Sequence, residues 1–194
     1  VALSSNISSQ YISALMLIAP SLKNGLKIDL VGETISVPYI KMTQRIMDQL
    51  GFKTSFDGNQ IAIQPASKIE TNQWTVESDW SSASYFYSIV ALALRSEITL
   101  NSYFEESRQG DAALTEIYQK FGVKTTHSDG KIKLSKTADF TLPNYIKINL
   151  KNTPDLAQTI VVTCLGLNID CKLAGLQTLK IKETDRLAAL KIEI

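Results

Sequence analysis

The chain has 194 residues, of which 44% are hydrophobic and 20% charged, the balance of an ordinary globular protein. Its 20 Lys and Arg face 19 Asp and Glu, so it lacks the broad basic surface of a nucleic-acid binder, although a small anion needs only a few local cations. It has no charge-free apolar stretch of the roughly 20 residues that span a membrane, and Val1-Ala2-Leu3-Ser4-Ser5 lacks the basic start of a secretory signal.

Taken in chain order, an apolar and nearly charge-free helix is predicted over 8–18, with Ser8 or Ser9 as N-cap. An alternating strand follows at 26–31, then an amphipathic helix at 38–50 with Ser36 as cap and Pro38 in the first turn. Segments 53–56 and 60–64 flank Asp57-Gly58, a hairpin signature because these residues tolerate positive φ. Residues 68–74 are polar and aperiodic, and a lobe boundary is placed there, with Trp74 and Trp80 read as packing residues beside it.

The series then recurs. An apolar helix at 81–94 has Ser81 or Ser82 as candidate caps and is preceded by Asp79, for which capping is the favoured reading; strand 97–101, amphipathic helix 111–121 and a hairpin of 124–127 and 131–135 about Asp129-Gly130 follow. His127, the single histidine, falls in that hairpin and is expected to be exposed and without a role. A third series runs through helix 154–167, started by Thr153-Pro154, strand 171–175 and a helix from Glu183 onward. Cys164 and Cys171 fall within it, in apolar surroundings and at no metal-ligand spacing, which points to reduced thiols in a cytoplasmic protein. The chain opens on Val1 rather than Met and closes on an amphipathic run without a Gly, Asn or Pro stop, so it is read as a piece of a longer protein, cut before the third hairpin.

Gly58 and Gly130 lie 72 positions apart, and the elements around them keep the same order. In each copy the first helix is apolar all round and the second on one face only. A helix without a polar face must be covered on every side. The first helices are therefore expected to gather in a shared interior, with sheets and amphipathic helices outside.

Several residue clusters could carry chemistry. Ser8-Ser9-Gln10-Tyr11 places two hydroxyls and an amide at a helix start, where free N–H groups favour a phosphate or carboxylate. Ser36-Val37-Pro38-Tyr39 opens the next helix, with the Tyr39 hydroxyl available to a ligand. Asp155 could interact with a helix dipole or serve as a base tuned by nearby cations. Lys182-Glu183-Thr184-Asp185-Arg186 is read as a helix start on which Lys182 and Arg186, four apart, share a face and modulate Glu183. Taken singly, each cluster is also explained by capping or by a solvated first turn.

Together they resemble the 5-enolpyruvylshikimate-3-phosphate synthases, a family of enolpyruvyl transferases. The resemblance rests on Ser-Ser-Gln-Tyr at 8–11, Ser-x-Pro-Tyr at 36–39, Ser-Ser-Ala-Ser-Tyr-Phe at 81–86, Gln-Gly-Asp at 109–111, Pro-Asp at 154–155 and Lys-Glu-Thr-Asp-Arg at 182–186. It implies a mixed α/β (α+β) fold of repeated β-α-β-α-β-β units, six to the full enzyme in two lobes. Residues 1–75 would be the last unit of the first lobe and 76–194 the first one and a half units of the second.

The implied reaction transfers the enolpyruvyl group of phosphoenolpyruvate to the 5-hydroxyl of shikimate 3-phosphate and releases phosphate. It proceeds by addition and elimination, without metal or organic cofactor. By similarity, Asp155 accepts the hydroxyl proton, Glu183 acts near the enolpyruvyl methylene and Lys182 neutralises charge and helps move protons. Ser8, Ser9 and Ser36 hold the shikimate phosphate beside Tyr39, Gln10 touches both substrates, and Arg186 binds phosphoenolpyruvate. The implied partners are these two small molecules, with no nucleic acid or membrane, in an enzyme expected to be monomeric at full length.

Two positions depart from the family pattern. Trp80 is bulky where the family has a small residue in Gly-Asp-Ala-Ser-Ser, so Asp79 is left out of the catalytic set, and Thr178 replaces an Asn found in some members. The family's early and late cationic residues and its Gly-rich phosphoenolpyruvate loop lie outside the chain, so the 194 residues alone are expected to be inactive. The alternatives are the relative acting on UDP-N-acetylglucosamine, against which the serine and Lys-Glu-Thr-Asp-Arg motifs weigh, and a folded fragment without catalysis.

Overall fold

A computed structural model describes residues 1–4, 8–32, 34–66, 68 and 75–194. The polar boundary segment and Trp74 lie outside the described residues except for Lys68. The chain forms two compact units, one of Val1–Thr75 with Ile181–Glu183 and one of Val76–Lys180 with Thr184–Ile194.

The first unit runs β1 (Ala2–Ser4), α1 (Ser9–Ile18), β2 (Leu26–Val31), α2 (Val37–Gln49), β3 (Thr54–Asp57) and β4 (Gln60–Ile63). Its sheet has the order β1-β2-β4-β3. Strands β1 and β2 are parallel, joined through α1, and the rest of the sheet is antiparallel. Helix α2 buries Ile40, Thr43 and Met47, one stripe at helical spacing. These meet Ile12 and Met16 of α1 and Ile28, Leu30, Ile61 and Ile63 of the sheet. At the first hairpin Asp57 pairs with Gln60, so Gly58-Asn59 forms the loop; Gly58 alone takes positive φ, and Asp57 ends the strand.

The second unit runs α3 (Trp80–Leu92), β5 (Glu97–Asn101), a short helix α4 (Leu114–Ile117) between 3-10 turns, β6 (Val123–Ser128) and β7 (Lys131–Lys136). It continues with β8 (Tyr145–Asn149), α5 (Ala157–Gly166), β9 (Asp170–Ala174) and α6 (Arg186–Glu193). Strands β5-β7-β6 form an antiparallel sheet, and β8 pairs with β9 in parallel. Asp129 and Gly130 both take positive φ between Ser128 and Lys131, the primed turn that their sequence demands.

Trp80, Tyr87, Tyr118 and Phe121 are fully buried among Ile132, Leu134, Leu156 and Ile160. Trp80 packs edge-on against Tyr103 at 5.1 Å between ring centres, which matches its packing role. Burial pushes the Tyr118 phenol up to about 12, and it remains a neutral hydroxyl 3.0 Å from Thr163 Oγ1. Thr163 in turn donates to Thr159 O at 2.7 Å and lies 2.8 Å from Ser88 Oγ, tying α5 to α3.

Local chemistry decided some boundaries differently from expectation. Of the candidate caps of α3, Asp79 takes the role as favoured for it and Ser81 and Ser82 do not: its carboxylate accepts from Ser81 N at 2.9 Å and from the Ser82 hydroxyl at 2.7 Å. Asp79→Ala should lower stability by about 1 kcal/mol, the usual cost of losing an N-cap, as read from the urea midpoint. Strands β1 and β8 were not anticipated, although Tyr145-Ile146-Lys147-Ile148-Asn149 alternates and buries both isoleucines.

The apolar first helices are covered on one side only. Helix α3 buries Ala83, Tyr87, Val90 and Ala91 and leaves Tyr85 63% and Ile89 55% exposed. Helix α5 leaves Val162 and Leu165 in the open, and α1 does the same with Tyr11, Leu17 and Ile18. Cys164 and Cys171 are free thiols, Cys164 buried and Cys171 half-buried. Burial pushes the Cys164 thiol up to about 12, so it is inert at neutral pH. Among the described residues no helix is long and apolar enough to cross a membrane, and no group of three or more His, Cys, Asp or Glu could hold a metal.

Candidate active site

The candidate residues of the first unit follow the C-terminal ends of two paired parallel strands. Ser4 of β1 lies opposite Val31 of β2. Ser8 follows four residues after Ser4, and Ser36 five residues after Val31, so both helices begin at the same edge of the sheet. They open alike: Ser8 O accepts from Tyr11 N at 3.1 Å, and Ser36 O accepts from Tyr39 N at 3.0 Å. Ser8 caps α1, its hydroxyl oxygen accepting from Gln10 N at 3.3 Å and lying 3.4 Å from Gln10 Oε1. Ser9 is the first residue of α1.

Ser36 differs from expectation. It holds the N-cap position of α2, but its side chain makes no capping bond and its backbone is left-handed, with φ 58° and ψ 33°. A non-glycine residue in that region is strained by its own Cβ, and such strain gathers at functional sites.

The same construction recurs in the second unit. Asn149 of β8 lies opposite Ala174 of β9, and Leu150 N donates to Ala174 O at 2.8 Å beyond the strand end. Gly175 follows with φ +79°, and a Cβ there would come within 2.3 Å of Lys151 N, so this close approach requires glycine. After β8 comes the 3-10 turn Pro154–Leu156 that leads into α5, and after β9 comes α6. Asp155 and Arg186 thereby meet: Arg186 Nη1 donates to Asp155 Oδ1 at 2.9 Å. Their side chains are 25% and 24% exposed, so water screens the pair only in part.

Lys182 and Glu183 do not lie on a helix. Asp185 is the N-cap of α6, its carboxylate accepting from Leu187 N and Ala188 N at 3.0 Å each, and the helix starts at Arg186. An N-cap takes non-helical backbone angles, so the acidic residue that can cap sets the boundary, and Lys182–Glu183 fall in the bend before it. The expected helical face shared by Lys182 and Arg186 is therefore absent. Thr153 likewise stands at an N-cap position without a side-chain capping bond.

A third pair of helix starts completes the pattern. The Ser81 hydroxyl in the first turn of α3 donates to Asp111 Oδ2 at 2.5 Å, and Asp111 is fully buried. Gln109 accepts from Trp80 N at 2.9 Å and donates to Ser78 O at 2.8 Å. Glu77 accepts from Trp80 Nε1, Phe104 N and the Ser107 hydroxyl at 2.7 to 2.9 Å. Glu77 and Asp111 carried no role in the sequence reading. Asp111 was signalled only as part of the Gln-Gly-Asp landmark, to which no chemistry was attached. His127 is half-buried rather than exposed, its ring 6.3 Å from that of Trp80.

Three pairs of helix starts, two of them following the ends of paired parallel strands, make a repeated architecture. The family model for EPSP synthase (3-phosphoshikimate 1-carboxyvinyltransferase) matches residues 1–194. The chain belongs to the EPSP synthase family. A 3-phosphoshikimate 1-carboxyvinyltransferase of Bacteroides fragilis strain YCH46 is 44% identical over 194 residues, which cover 100% of this chain and 47% of the relative. Another, of Haemophilus influenzae strain PittGG, is 32% identical over 202 residues, covering 100% of this chain and 44% of the relative. The solved EPSP synthase of Acinetobacter baumannii superposes with a TM-score of 0.69 at 18% identity, over 99% of this chain and 44% of that one, and so shares the fold. The chain spans about half the length of these curated relatives of the EPSP synthase family, 47% in the Bacteroides case.

Proposed function

We propose that the protein carrying this chain transfers the enolpyruvyl group of phosphoenolpyruvate to the 5-hydroxyl of shikimate 3-phosphate and releases phosphate. Membership of the EPSP synthase family supports the reaction class. The observation that carries it to a site is the meeting of Asp155 and Arg186 at two helix starts. A carboxylate in this place can accept a proton, while the guanidinium beside it attracts an anionic substrate.

In this reading Asp155 takes the proton of the attacking hydroxyl, and Glu183 serves the methylene carbon, which gains a proton on addition and loses it on elimination. Lys182 neutralises developing charge, and Arg186 holds the phosphoenolpyruvate carboxylate. The starts of α1 and α2 present Ser8, Ser9, Gln10, Ser36 and Tyr39 to the shikimate phosphate and ring. Fixed cations and N–H dipoles around the tetrahedral intermediate supply the main acceleration. Both substrates are small anions, consistent with a chain whose overall charge is close to zero.

Residues 1–75 and 76–194 are read as consecutive parts of two lobes, in which further repeat units cover the open apolar faces of α1, α3 and α5. A cytoplasmic, monomeric enzyme fits this reading. The test is phosphate release from the two substrates by an enzyme of the family's length that contains this chain. Turnover is expected there, and none from residues 1–194 assayed alone. Phosphate released only with UDP-N-acetylglucosamine as acceptor would overturn the choice of substrate.

A further inference from the structure

We infer that Gln158 is a positioning residue that fixes the guanidinium of Arg186, an inference that rests on the proposed function for its kinetic consequence. Gln158 stands one helical turn beyond Asp155, on the same face of the 3-10 turn and α5. With its carboxamide oriented to satisfy both ends, its nitrogen donates to Asp155 O at 2.9 Å and its oxygen accepts from Arg186 Nη1 at 3.2 Å.

Nη1 carries two hydrogens. They suffice for both Asp155 Oδ1 at 2.9 Å and the Gln158 oxygen at 3.2 Å, so a charged and a neutral acceptor share the same nitrogen. A second acceptor on one planar group narrows the rotation that the first one allows. Gln158 thus adds a hold on Arg186 that does not depend on the charge of Asp155, which in the proposed reaction takes up the substrate proton.

Steady-state kinetics on the enzyme of family length provide the test. Gln158→Met keeps side-chain length and helix propensity while removing both polar ends. It should raise KM for phosphoenolpyruvate about tenfold, with the effect on KM rather than kcat, as for the loss of one hydrogen bond to a charged group. Gln158→Glu, which keeps an acceptor in place, should return KM close to the parent value at about pH 8.

A phosphoenolpyruvate KM within about twofold of the parent's, or an equal change for both substrates, overturns the proposal. Absence of turnover by the unsubstituted enzyme sinks the proposed function instead. The clamp is then decided on the 194-residue chain by NMR of the arginine side-chain N–H groups. Sharp Arg186 signals in the parent that broaden in Gln158→Met support the clamp, and identical signals in the two count against it.

Discussion

Asp155→Ala in the enzyme of family length is expected to lower kcat by roughly 10²–10⁴-fold, the usual contribution of a positioned general base. The alanine variant alone would leave two explanations, because Asp155 also holds Arg186 at 2.9 Å. Asp155→Asn separates them. Asparagine keeps an oxygen that can accept from Arg186 but is not a base at neutral pH. If Asp155 serves as the base, Asn and Ala should be similarly impaired in kcat, with KM for phosphoenolpyruvate disturbed mainly in Ala. Recovery of kcat in Asn to near the parent value would reduce Asp155 to an anchor for Arg186.

The largest effect on stability is expected at Trp80. Its side chain is fully buried, edge-on to Tyr103, and its indole N–H donates to Glu77 at 2.8 Å. Trp80→Ala should cost about 3–5 kcal/mol through lost burial and an unfilled cavity. Trp80→Phe should cost less, because it refills most of the volume and removes chiefly the bond to Glu77. Urea unfolding followed by circular dichroism is the measurement, and a midpoint for Trp80→Ala close to the parent's would contradict this account of the core. The chain has two compact units, so the loss should appear in one transition if they unfold separately.

Much of the fold was legible in sequence because its signals are local. Strands β2 and β5 fall on their expected residues, and both hairpins stand at the Asp-Gly positions. Helix starts were less legible because serine and aspartate compete for the cap. Asp79 won at α3, and Asp185 moved the start of α6 three residues past Glu183, which removed the supposed Lys182–Arg186 face. The left-handed backbone of Ser36 had no local signal, since serine carries no preference for it. The sequence identified Asp155 and Arg186 as candidates, but their contact depends on the pairing of β8 with β9, and β8 was not anticipated. Gln158 escaped notice for the same reason, as its meaning depends on a partner 28 positions away along the chain.

The three pairs of helix starts carry different side chains on one backbone plan: Ser8 with Ser36, Ser81 with Asp111, and Asp155 with Arg186. A duplicated scaffold of this kind separates the question of where a group is held from that of which group it is. One copy can be polar and uncharged, the next acidic and the last a charge pair, without any strand being rebuilt. Diversification then needs only substitutions at helix starts, with the strands and the apolar cores left in place. Such a chain could alter its chemistry faster than its shape.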